Sequence, residues 1–206
     1  LEAGAEPDVV ALTKEKTDQY AREGKLVSGS ARDLVRSFVG VAVKVGAPRP
    51  AIGTTAEFRR ALLDARSIGY SRAGASGLFF VELLKRLDIA EAINAKATVI
   101  PEGFTAELAA SGKVELAIQQ VSELMAVPGI DIVGPLPGQF QNATSYRGVV
   151  PVASREKEAA QAFLNFLREP ANASVYRSKG LQASVPVGVV TAAAKPEINA
   201  LITTAM

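Results

Sequence analysis

Ser67-Ile68-Gly69-Tyr70-Ser71-Arg72-Ala73-Gly74-Ala75-Ser76-Gly77-Leu78-Phe79-Phe80-Val81-Glu82-Leu83-Leu84-Lys85-Arg86-Leu87 reads as a strand, a turn of small residues and a helix in succession. Ser67–Tyr70 is short and apolar, as a buried strand is, and Phe79, Phe80, Leu83, Leu84 and Leu87 recur at helical spacing on one face. The glycines between them permit close backbone approach, and Ser71 and Ser76 carry hydroxyls. A helix that starts here exposes its first N–H groups, and with the positive end of its dipole and the two hydroxyls it favours an anion or a carboxylate. The same residues also fit an ordinary strand-to-helix turn with Ser76 as the N-cap.

Working outward, the pattern repeats. Ala97–Ile100 reads as a strand, Pro101-Glu102-Gly103 as a turn and Phe104–Ala110 as a helix stopped by Gly112, so a second helix start is expected to face the same ligand. Val114–Ile118 reads as a further strand ending in Gln119-Gln120, two amides at a strand's carboxyl end, where open α/β sheets bind ligands. These amides either donate to a ligand or satisfy local backbone groups. Upstream, Asp8–Leu12 reads as a strand and Lys14–Glu23 as a helix, with Thr13 at the junction either capping the helix or facing a cleft. Val27–Arg36 reads as loop and Phe38–Val45 as a Val-rich strand. Thr54 to Glu57 and Asp88 to Glu91 both have capping-box spacing. Ile130–Gly134 and Tyr146–Ala153 read as strands. Glu156–Arg168 reads as a helix with Ala159, Ala160, Phe163, Leu164 and Leu167 on its buried stripe. A helix over Ala171–Ser178 and an Ala- and Val-rich tail, Ser184–Met206, complete the chain. Strands alternate with helices, so the class is α/β.

Composition narrows the chemistry. The 206 residues hold 23 Lys and Arg against 21 Asp and Glu, and aromatic residues make up 6%, so the basic stripe with stacking platforms of a nucleic-acid binder is missing. There is no Cys and no His, which removes thiol nucleophiles, disulfides, Cys/His zinc sites and imidazole-based triads. We expect no metal, no cofactor, no catalytic residues and no enzyme activity. Acid–base work would fall to Asp, Glu, Lys or Tyr, and no paired carboxylates flank the cleft at a telling spacing. Glu102 and Glu123 are expected to be solvated or structural, a Ser–Lys arrangement staying open. No apolar run approaches the roughly 20 residues that span a bilayer. The chain opens at Leu1 with no signal-peptide pattern, so a preceding segment is expected.

Taken in order, Pro7-Asp8-Val9-Val10-Ala11-Leu12, Ser67-Ile68-Gly69-Tyr70 with its Ser/Gly turn, Val114-Glu115-Leu116-Ala117-Ile118-Gln119-Gln120 and Ala159-Ala160-Gln161-Ala162-Phe163-Leu164-Asn165-Phe166-Leu167 carry a family likeness. From about Glu6 to Leu181 the chain resembles the periplasmic solute-binding proteins of ABC importers, in the molybdate-binding-protein-like group. The resemblance implies a two-lobed type 2 periplasmic-binding-protein fold with an incomplete first lobe, residues 1–45 and 147–206 forming lobe 1 and 46–146 lobe 2. It makes Phe38–Val45 and Tyr146–Ala153 the crossovers between them. It implies a small anionic or polar organic ligand held in the interlobe cleft by Ser71, Ala75, Ser76, Gly77, Gly103, Phe104, Gln119, Gln120 and Thr13. Gln120 stands where molybdate binders place a Tyr hydroxyl. It also implies a membrane permease as partner, a periplasmic location, and self-association through the unfinished lobe. The alternative is the ligand-sensing domain of a transcription regulator.

Overall fold

The computed structural model describes residues 6–141 and 143–184 and contains two sheets. The elements run β1 Val10–Thr13, α1 Lys14–Arg22, β2 Arg32–Ser37, β3 Val39–Lys44, α2 Thr55–Asp64, β4 Ile68–Ser71, α3 Ala75–Arg86, α4 Ala90–Asn94 and β5 Ala97–Ile100. They continue with α5 Thr105–Ala110, β6 Leu116–Gln120, α6 Val121–Leu124, β7 Ile130–Pro135, β8 Thr144–Val149, α7 Lys157–Leu167, α8 Ala173–Ser178 and β9 Leu181–Ala183. The tail lies beyond Ser184, outside the described residues.

The five-stranded sheet has the order β5-β4-β6-β3-β7. β4 is parallel to β5 and β6, while β3 runs antiparallel to β6 and β7. Both faces are covered, which is why β4 and β6 are buried along their whole lengths. The sequence assigns the faces by side-chain size. Val39, Val41 and Val43 alternate toward the large cluster built on Phe58, Leu62, Phe80, Leu83 and Leu84 of α2 and α3. Gly40, Ala42, Gly69 and Ala117 line the other side, where α5 and α6 lie close; a Cβ on Gly40 would stand 2.6 Å from the Val121 side chain. α2 begins with the expected capping box: the Thr54 hydroxyl accepts from Glu57 N–H, and the Glu57 carboxylate accepts from Thr54 N–H.

The second sheet, β1-β8-β2-β9, is antiparallel throughout. Leu34, Val35 and Val150 pack there against Ala160 and Leu164 of α7. Asp8 ties the start of α7 down, because its Oδ1 accepts from Ser154 Oγ at 2.8 Å and from the N–H groups of Arg155 and Glu156. These bonds, the Ser154 hydroxyl foremost, hold the Asp8 carboxyl below the usual carboxylate range.

Four local expectations need correcting. Most of β2, residues 32–36, falls in the stretch Val27–Arg36 expected as loop: a bulge between Asp33 and Val35 breaks the period of two and hides the alternation. Asp88 does not cap α4; it takes a left-handed φ of 54° and Ile89 is the N-cap, without a side-chain bond. On α7 the buried stripe is Ala160 and Leu164, whereas Ala159 is exposed and Phe163 turns outward to stack on Phe166 with ring centroids 6.5 Å apart. The chain also changes sheet abruptly rather than along a shared strand. β2 ends at Ser37 in one sheet and β3 starts at Val39 in the other, leaving Phe38 as the link, and the return runs through residues 136–143.

Candidate functional site

In the five-stranded sheet the carboxyl ends of β4, β5, β6 and β7 and the start of β3 lie along one edge. Ser71 is in register with Ile100, Val39 with Gln120 and Gly40 with Pro135. The strands hold their side chains in place, and the turns that leave this edge carry the candidate site.

At β4 the turn is tight. Gly74 is the N-cap of α3 with no side-chain hydrogen bond, so Ser76 is not the cap; it sits one residue into the helix and is buried. The first α-helical bond is Leu78 N–H to the Gly74 carbonyl, which leaves the N–H groups of Ala75, Ser76 and Gly77 ahead of the helical ladder. Ser71 is 4% exposed and its Oγ has no hydrogen-bond partner. The helix start is seated on this residue. A Cβ at Gly77 would stand 1.8 Å from the Ser71 carbonyl oxygen and 2.8 Å from its Oγ, and one at Gly74 would stand 2.9 Å from the Oγ. Arg72, Ala73, Gly74 and Ala75 are exposed, so the bend itself is open.

The second helix start is built differently. Gly103 has φ +90°, a conformation that needs glycine, and Phe104 is the N-cap of α5. The donors here are already taken. Gln119 Oε1 accepts from Thr105 N–H at 2.7 Å and from Thr105 Oγ1 at 2.9 Å, and Gln119 Nε2 donates to the Gly103 carbonyl at 3.0 Å. Gln119 therefore closes the α5 turn, with Phe104 partly exposed beside it.

Gln120 is 2% exposed and reaches the other sheet. Its Nε2 lies 2.8 Å from Thr144 Oγ1 on β8, and its Oε1 is unpartnered. Because amide oxygen and nitrogen interchange by a flip and the Thr144 hydroxyl can donate, either end of this amide can face a ligand. Gln141 donates to the carbonyls of Leu136 and Val39 and also keeps an unpartnered Oε1. Ser37 at the end of β2 and Ser122 in α6 share a hydrogen bond at 3.2 Å, linking the antiparallel sheet to the helix that follows β6. Thr13 caps α1, accepting from Lys16 N–H, and lies across from Tyr146 on β8.

Ser71, Ala75, Ser76, Gly77, Gly103, Phe104, Gln119 and Gln120 thus gather on one sheet edge. Thr13 stands on the other sheet. Gln141, Thr144, Ser37 and Ser122 were missed. They sit at the sheet-to-sheet junctions, and nothing in their local spacing announces a contact across 24 to 102 positions. Glu123, expected to be solvated or structural, is half-buried. Burial pushes its carboxyl above the usual range, partly opposed by Gln120 N–H and the Gln119 amide. Burial first, and the Glu123 charge second, raise the Tyr146 phenol.

With this edge described, the likenesses to known proteins can be read. Residues 1–182 match the family described as bacterial extracellular solute-binding protein. The chain belongs to this family. Among solved structures of similar fold are the periplasmic molybdate-binding protein of Azotobacter vinelandii, with TM-score 0.68, 17% identity and coverage of 90% of this chain and 81% of that one, and L-phospholactate-bound PEB3, with TM-score 0.66, 14% identity and coverage of 88% and 81%. They establish the two-lobed fold for this solute-binding chain. A curated relative is the aconitate isomerase of Pseudomonas sp, 38% identical over 176 residues, which are 85% of this chain and 67% of that protein.

That relative overturns the expectation that the chain is no enzyme. The error lay in requiring paired carboxylates at a telling spacing before assigning acid–base work. A lone half-buried carboxyl such as Glu123, raised by burial, has no such spacing to announce it.

Proposed function

We propose that this solute-binding chain captures a small polycarboxylate between its two sheets and delivers it to an ABC permease from a periplasmic location. The sheets act as two lobes that divide at Phe38 and within residues 136–143 and close over the ligand. The N–H groups of Ala75, Ser76 and Gly77, the Ser71 hydroxyl and the Gln120 amide supply the donors, and Phe104 forms part of the rim. The observation that carries this reading is the buried, unpartnered Ser71 Oγ beneath an open helix start. Such a group costs stability unless something pairs with it, and the helix dipole selects a negative charge as that partner. The unpartnered oxygens of Gln120 and Gln141 on the same edge give a place for the hydroxyls of protonated acids, or, with the Gln120 amide flipped, one more donor. A polycarboxylate is preferred to an inorganic oxyanion because the 38% relative is named for aconitate, an unsaturated tricarboxylate. The same name favours a second reading, in which the bound acid is also isomerised.

Isothermal titration of the wild-type chain with trans-aconitate, succinate, molybdate and sulfate tests the binding. The expected result is saturable binding of the tricarboxylate, weakened in Ser71→Ala by about tenfold or more, the loss of one hydrogen bond to a charged group. Binding of molybdate alone, or no heat from any of the four, would contradict the reading.

A further inference from the structure

Glu123 stands apart from the binding groups described so far. It occupies the third residue of α6, the helix that starts directly after Gln120 at the end of β6, and it is half-buried there. What lies opposite follows from strand geometry. Thr144 and Tyr146 are two residues apart on β8 and share a face, and Thr144 already touches Gln120. Tyr146 therefore points across the same gap, where it feels the Glu123 charge. The result is a half-buried carboxylate at the end of β6, on the edge that carries Gln120, with the Tyr146 phenol within reach of its charge.

We propose that Glu123 is the group that moves the proton when the bound ligand is an unsaturated polycarboxylate, so that the site isomerises what it binds. The step rests on the polycarboxylate reading of the cleft. In such an acid a methylene flanks a carbon–carbon double bond conjugated to carboxylates. Glu123 takes a proton from the methylene: the C–H bond breaks, an O–H bond forms, and the electron pair spreads into the conjugated system. The Glu123 carboxylic acid then returns the proton to the far alkene carbon, and the double bond moves by one position. No electrons are gained or lost, and the carboxylate is regenerated. When the two ends of the acid carry the same groups, the product has the starting constitution with a new choice of cis or trans geometry. The charge that builds on the ligand's carboxylates during the step falls to the first turn of α3 and Ser71. A carboxyl raised by burial holds the abstracted proton better than an exposed one does, as proton transfer from carbon requires.

The test is proton NMR of trans-aconitate with the wild-type chain, Glu123→Gln and Glu123→Asp, alongside calorimetric binding and thermal melting of all three. We expect the wild type to interconvert the cis and trans forms. Glu123→Gln should bind within a few-fold of wild type and lose at least about a hundredfold in rate, and Glu123→Asp should recover part of it. The wild-type rate should rise with pH through a limb above the ordinary carboxylate range, since the base must be ionised. Isomerisation that survives in Glu123→Gln overturns the proposal, as does a wild type that binds without converting; in the latter case the binding reading stands alone. A wild type that does not bind removes the polycarboxylate reading and the proposal with it. Should Glu123→Gln fail to melt cooperatively, Glu123→Asp decides: an unchanged pH limb and rate then count against Glu123.

Discussion

Gly77→Ala is expected to cost about 3 kcal/mol of stability. The added methyl would stand 1.8 Å from the Ser71 carbonyl oxygen, a backbone atom at the end of a fully buried strand that cannot rotate away. Either α3 lifts from β4 or β4 shifts within its sheet, and both displace Ile68 and Tyr70 from the main cluster. Urea unfolding should show a lower midpoint with an unchanged slope. Gly74→Ala is the internal comparison. Its methyl would meet the Ser71 Oγ at 2.9 Å, the tip of a side chain that can turn, and the loss should be smaller. A Gly77→Ala protein as stable as wild type would mean that α3 does not sit on Ser71.

Gln119→Leu should destabilise the chain by roughly 2–4 kcal/mol, because it keeps the volume and removes both ends of the amide. Thr105 N–H loses its acceptor and the Gly103 carbonyl its donor, while the Thr105 hydroxyl falls back on the Ile118 carbonyl at 3.4 Å. Gln119→Glu retains the acceptor for Thr105 but sets a buried carboxyl against the Gly103 carbonyl, so its midpoint too should fall below wild type, and further as rising pH ionises it. The three midpoints in urea check the role of the amide as the cap of α5. Equal midpoints would leave the amide without that role.

The organising strand, turn and helix were legible because size and periodicity act locally there. Phe80, Leu83 and Leu84 are buried as their spacing requires, and the capping box of α2 forms between neighbours in sequence. β2 was illegible for the opposite reason. Its charged residues and its bulge give no local alternation, and it is a strand because β8 and β9 pair with it from more than 100 positions away. The site divides in the same way. The α3 start can be read from Ser71-Arg72-Ala73-Gly74-Ala75-Ser76-Gly77 alone. The assignment of Gln119 to the α5 turn and of Gln120 to the gap could not be read, because adjacent residues of one strand face opposite ways and nothing in two identical amides says which is which. Glu123 was discounted because no second carboxylate stands near it at a telling spacing, and the phenol that feels its charge, Tyr146, lies on the other sheet.

The central claim is that the strand edge bearing Ser71 is where ligand binds, and backbone amide NMR during titration with trans-aconitate tests it most directly. A concavity of about 480 Å³ lies at the opposite strand ends, lined by Lys44, Arg49, Arg66 and Glu115 among others, and provides the comparison within the same molecule. The account predicts saturable shifts at Ala75, Ser76, Gly77 and Gln120, with Lys44, Arg49 and Arg66 unmoved. Shifts confined to Lys44, Arg49 and Arg66, with the first turn of α3 silent, would contradict it.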